Sequence, residues 1–235
     1  MILYVVRHGD PIYDPDSLTE LGHMQAKALA HRFAVHGLDK IYASTLIRAQ
    51  QTAQPTCNIL NKKMELLDWT SEAHTWQEFT FIQENGMRNW CFHIQTTDYK
   101  TEENLALGDK WYEAYPFNQS KSKEGWERIQ RESDAFLSKL GYERDGLRYK
   151  ILEPNDQKVA VFCHQGFGTT WLAHLLGMNP ISFWSSFDLN HSSVTTLYFK
   201  NNNDGYTAPL CIGLSDCSHI YADRLPQKFQ GWLKY

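Results

Sequence analysis

Three short stretches put charge and imidazole where an apolar run stops. Residues 5–10 read VVRHGD, residues 42–53 read YASTLIRAQQTA, and residues 161–166 read VFCHQG. In each, residues suited to a core give way to groups that a core rejects. The first supplies Arg7, His8 and Gly9, the second Ser44 and Arg48, the third His164, Gln165 and Gly166. Arginine is a permanent cation and rarely buries without a partner. Two guanidiniums can fork onto phosphate oxygens, two imidazoles offer a nucleophile and a donor, and glycine turns and helix starts free backbone N–H groups for the same anion. Singly, each residue has an ordinary explanation: a strand-end histidine that packs and hydrogen-bonds, an arginine on a helix surface. Jointly, at three equivalent places, they describe an anion site. The other use of two histidines is a metal centre. That reading finds no carboxylate or cysteine at ligand spacing, and two arginines would repel the cation, so no metal ligand is assigned.

For these residues to meet, the runs that precede them must lie side by side. ILYVV (2–6) is apolar without alternation and reads as a buried strand. KIYAS (40–44), KVAVFC (158–163), SVTTLYF (193–199) and PLCIGL (209–214) read as further strands. Between them, Thr19 is placed to N-cap a helix with Leu21, Met24, Ala28, Leu29 and Phe33 on one face and Gly37 at its end. A second helix carries Leu46, Ala49, Ala53, Cys57 and Leu60, with Pro55 expected to kink or restart it. A third spans 168–177. Strand and helix therefore alternate at both ends of the chain. The expected fold is α/β, a three-layer sandwich with a largely parallel central sheet and helices on both faces. Such sheets bind ligands at the carboxyl ends of their strands, where the three polar stretches fall.

The middle of the chain differs. From 68 to about 150 the alternation is lost, one helix is clear through Trp126, Ile129, Phe136 and Leu140, and twelve aromatic residues fall from Trp69 to Trp126. The expectation is a single domain over 1–235 with a mostly helical, cap-like subdomain inserted at 68–150. Its aromatics would form a small core of their own or line a pocket for the organic part of a substrate.

Bulk properties narrow the partners. A net charge of -4 without a basic stripe argues against nucleic acid, and no apolar run approaches a membrane span. The five cysteines are odd in number and irregular in spacing, without a CxxC pair, which argues against a disulfide framework or a cysteine zinc site and for a reducing, cytoplasmic setting.

In combination and order, VVRHGD, LTELGHMQA (18–26), YASTLIRAQQTA and VFCHQG resemble the histidine phosphatase superfamily, which holds the cofactor-dependent phosphoglycerate mutases and many phosphatases. The resemblance covers roughly the first third of the chain and residues 158–214. It implies that His8 is the nucleophile and becomes phosphorylated, and that Arg7, Arg48 and His164 bind the transferring phosphoryl group without metal or cofactor. It also implies a general acid. Glu72 matches a W-x-x-E pattern from Trp69 and is preferred, with Asp68 as the alternative. Gln165 and Ser44 are lesser phosphate-binding candidates, as is Thr19, although N-capping explains both hydroxyls equally well. No role is assigned to Asp10, His174, Asn190, His191 or His219. The mutases carry a longer segment with Asn and Trp after RHG and an E-R-x-Y-G stretch after the acid; here DPIYDPDS (10–17) and EAHTW (72–76) stand instead. Hydrolysis of a small phosphorylated metabolite is therefore expected, with a mutase-type phosphotransferase or a non-catalytic phospho-ligand binder as alternatives.

Overall fold

The computed structural model describes residues 1–227. Among them a six-stranded sheet is formed by β1 (Ile2–Arg7), β2 (Lys40–Ala43), β3 (Met64–Leu66), β4 (Lys158–Cys163), β5 (Val194–Tyr198) and β6 (Leu210–Asp216). Their spatial order is β6–β5–β1–β4–β2–β3. The pairs β1–β4, β4–β2 and β2–β3 are parallel, whereas β5 runs antiparallel to both neighbours. Register brings three strand ends level. Arg7 sits opposite Cys163 and Phe162 opposite Ala43. Just beyond, His8 N donates to Cys163 O at 2.9 Å and Ser44 N to Phe162 O at 2.9 Å.

Alternation within the strands feeds two faces. Tyr4, Val6, Ala160 and Phe162 pack against α1 (Glu20–His36) and α2 (Ile47–Leu60) through Leu29, Phe33, Ala53 and Cys57. Thr19 caps α1 by accepting from Gly22 N at 3.1 Å, and Gly37 ends it at φ +70°. The buried face of α1 holds the expected Ala28, Leu29 and Phe33 together with Gly22, Gln25, Ala26 and Ala30, while the expected Met24 is exposed. The helix is rotated from its expected setting because Gly22 must lie directly on the RHGD turn. A Cβ at Gly22 would fall 2.3 Å from Asp10 O, and one at Gly9 would fall 2.8 Å from Gly22 O. The glycines of RHG and LTELG thus let backbone pack on backbone. Helix α2 continues through Pro55 as one element, so the helix does not restart there. Proline there removes one N–H and sets its ring against the carbonyl of Gln51, and buried residues on either side of it hold the helix to the sheet.

Leu3, Val5, Val159 and Val161 face the other way, toward α4 (Ser122–Ser138) and α5 (Gln165–Leu175), which follow the short α3 (Glu72–Glu78). Trp69 meets Phe136, Phe167 and Trp171, and Trp184 meets Trp111 and Phe117, at ring-centroid distances of 5.1–5.8 Å. These rings do not form a separate small core. They are continuous with the sheet residues, because α5 is buried from Gly166 to Leu175 and bridges sheet and inserted segment. The segment also carries hairpins at Thr80–Ile82/Arg88–Trp90 and Tyr142–Asp145/Arg148–Ile151, the latter extended by Tyr206–Thr207. Among the described residues no helix is long and apolar enough to cross a membrane.

Candidate active site

His8 leaves β1 with its backbone held on both sides: its N–H goes to Cys163 O, and its carbonyl accepts from Ser192 N at 2.9 Å. Its Nδ1 lies 2.7 Å from Gly9 O. A carbonyl only accepts, so Nδ1 carries the proton and Nε2 keeps the lone pair. Thr52 Oγ1 accepts from Gly9 N at 3.0 Å and donates to Arg48 O at 2.7 Å, fastening the turn to α2. His164 lies 5.1 Å from His8, ring to ring. Its Nε2 pairs with Ser44 Oγ at 2.8 Å, and its buried Nδ1 has no protein partner. Burial, followed by the repulsion of His164, Arg7 and Arg48, holds the His8 pKa well below the usual histidine range. Burial and the same two arginines do likewise for His164. Both rings are neutral at ordinary pH.

Arg7 is 3% exposed. It donates through Nη1 to Leu189 O and through Nη2 to His191 Nε2 at 2.7 Å. His191 stands 5.7 Å from His8, with its Nδ1 3.6 Å from Asp10 Oδ1. Arg48, in the first turn of α2, donates to Asp16 Oδ1 at 2.6 Å, while Asp16 Oδ2 accepts from Ile47 N at 2.6 Å. The Tyr13 ring lies 5.4 Å from the Arg48 guanidinium carbon. Glu72 opens α3 and accepts from Gly166 N at 2.9 Å and Phe167 N at 3.1 Å, the first turn of α5. Burial raises its pKa above the usual carboxylate range. The two N–H bonds and the positive charge of Arg48 and Arg7 oppose that shift without cancelling it.

Arg7, His8, Arg48, Glu72 and Gln165 line one cavity of about 590 Å³, whose lining also includes Trp76, Trp90 and His93. His164 is buried beside His8, and Ser44 is buried behind His164 rather than in the cavity. Asp68 is not brought in. Its side chain is 74% exposed and pairs with His74 at 2.9 Å, because the 3-10 turn Asp68–Thr70 carries it to the surface before α3 begins. Thr19 serves as a cap. The backbone donors expected to face an anion are in part already engaged: those of Gly166 and Phe167 by Glu72, that of Gly9 by Thr52. The Gln165 side chain donates to Asp188 Oδ1 at 2.6 Å. Sequence reasoning passed over His191 as ordinary and Asp16 as turn chemistry. The polar cluster DLNHSS directly before an apolar strand, and the step from Asp16 to the helix that carries Arg48, were the available signals. Among the described residues no group of three or more His, Cys, Asp or Glu is arranged to hold a metal ion.

The profile of the histidine phosphatase superfamily (branch 1) matches residues 3–207, and the chain belongs to that family. The adenosylcobalamin/alpha-ribazole phosphatase of Salmonella typhi is 29% identical over 203 residues, covering 78% of this chain and 84% of the relative. Among solved structures, alpha-ribazole phosphatase from Shigella flexneri superposes with a TM-score of 0.59 at 21% identity, covering 92% of this chain and 97% of that one. A phosphoserine phosphatase variant from Entamoeba histolytica, in complex with phosphoserine, superposes at 0.60 and 18% identity over 93% and 98%. With these relatives, the chain is a phosphatase of the histidine type.

Proposed function

We propose that the chain hydrolyses phosphomonoesters of small metabolites without a metal ion, through a phosphohistidine on His8. The single observation that carries this reading is the Nδ1–Gly9 O bond, which leaves Nε2 of a neutral imidazole as an available lone pair beside two arginines. Nε2 attacks phosphorus; the N–P bond forms and the ester P–O bond breaks. The leaving oxygen takes its proton from Glu72, whose raised pKa suits an acid. Water then attacks phosphorus, gives its proton to the Glu72 carboxylate, and the N–P bond breaks to release phosphate. Arg7 and Arg48 supply the positive charge around the equatorial oxygens. His164 adds a donor at Nδ1 when Ser44 O–H donates to its Nε2. Ser44 thereby acts through His164, and Gln165 holds Asp188 at the cavity edge. The 68–150 insertion serves as the cap, since Trp76, Trp90 and His93 belong to it. A non-catalytic binder would not need an acid in reach of the phosphoryl site, yet Glu72 shares the cavity with His8.

The test is an assay on an aryl phosphate in excess EDTA beside His8→Ala. Activity should survive chelation and fall roughly 10⁴-fold or more in the variant. Activity abolished by EDTA, or retained by His8→Ala, contradicts the reading.

A further inference from the structure

Phosphoryl transfer accounts for one wall of the cavity and leaves the aromatic wall without a task. Resting on the phosphatase reading above, we propose that the released alcohol carries an aromatic ring and no second anionic group.

The first support is the placement of the rings. Trp76 follows Glu72 by one helical turn of α3, so both side chains share a face, and it is 37% exposed. Trp90 stands edge-on to Trp76 at 5.0 Å and is stacked on Phe92 at 5.0 Å. The second is proximity to the acid. The point that a Cβ on Gly166 would occupy lies 2.9 Å from Glu72 Oε1 and 3.0 Å from Trp90 Cη2. Glycine at 166 therefore lets the indole close up on the carboxyl that protonates the leaving oxygen, and the leaving group departs along an indole surface. Offset or edge-on aromatic contact is the favourable use of such a surface.

The third support is charge. Among the described residues lining the cavity the fixed cations are Arg7 and Arg48, which the phosphatase reading assigns to the phosphoryl group. The remaining charged lining groups are Asp16 and Glu72, both acids, and burial holds the His93 pKa below the usual histidine range. A carboxylate or second phosphate on the alcohol would be desolvated there without a cation to meet it. A volume of about 590 Å³ also exceeds what a three-carbon acid requires.

The test compares kcat/KM for phenethyl phosphate, butyl phosphate and phosphoglycerate, all alkyl esters with similar demand for the acid. Calorimetric binding of phenethylphosphonate and butylphosphonate gives a parallel readout that needs no turnover. The phenethyl compound should exceed the butyl one about tenfold in both, phosphoglycerate should be the poorest substrate, and Trp76→Ala should bring the phenethyl-to-butyl ratio close to one. Equal efficiency on all three esters, or preference for phosphoglycerate, overturns the proposal and leaves the phosphatase reading intact. So does a ratio unmoved by Trp76→Ala. Aromatic preference in phosphonate binding with no ester hydrolysed removes the phosphatase reading and with it the released alcohol, overturning the proposal as stated.

Discussion

The two walls of the cavity are built in different ways. The phosphate wall hangs from neighbouring strand ends: Arg7 ends β1 and His8 follows it, Ser44 and Arg48 follow β2, and His164 follows β4. Sheet register sets their separations, and their polar atoms are tied to Cys163, Thr52, Leu189, Asp16 and Ser44. The aromatic wall comes from a short helix, a hairpin and a 3-10 turn within residues 72–93, where rings brace one another. Backbone register fixes the chemistry; side chains on short elements fix what the chemistry acts on. The positions of the first wall are set by the sheet, whereas those of the second are set by side chains on short surface elements.

Glu72 joins the walls, and changing it separates them most sharply. In single-turnover phosphorylation of His8, which leaves out the shared hydrolytic step, Glu72→Gln should slow alkyl esters roughly 10²- to 10⁴-fold and slow p-nitrophenyl phosphate far less, since that leaving group departs without a proton. Asp68→Asn should leave both rates within about twofold, as its surface position requires. Because burial raises the Glu72 pKa, the acid form persists to higher pH than in a free carboxyl. The rate for an alkyl ester should then fall as pH rises through that raised value, and this limb should vanish in Glu72→Gln. Equal losses on both ester types would remove Glu72 from the acid role.

Arg48→Ala acts on the phosphate wall alone. A loss of roughly 10²- to 10³-fold in kcat/KM should appear equally for phenethyl and butyl phosphate, in contrast to the ratio change expected of Trp76→Ala. A substrate-dependent loss would show that the walls are not separable. The smallest effect belongs to Asp16→Asn. The carboxylate competes with phosphate for Arg48, so its neutral isostere should tighten inhibition by inorganic phosphate about threefold. Weaker inhibition would make Asp16 chiefly a positioning group for Arg48.

The same contrast governs what the sequence disclosed. The strands that carry the phosphate wall are continuous apolar runs ended by Arg, His or Ser, and fully buried parallel strands read that way; the strands and the edge at which their ends meet were legible, their order in the sheet was not. The rotation of α1 was not, because its inward side is set by backbone contact between Gly22 and the RHGD turn rather than by its largest apolar residues. Hairpins such as Arg88–Trp90 with Thr80–Ile82 are three-residue strands without enough alternation to announce a period. The aromatic wall followed suit: many rings were visible, but which of them face the cavity depends on long-range packing. His191 was hidden for a related reason, since its partner Arg7 lies at the other end of the chain.

The most direct measurement is capture of the phosphoenzyme. Wild-type protein mixed with substrate and quenched in alkali, where phosphohistidine survives, should yield a peptide containing His8 heavier by one phosphoryl group, formed within a single turnover and absent in His8→Ala. Turnover without such a species, or with the phosphoryl group on His164 instead, would contradict the account.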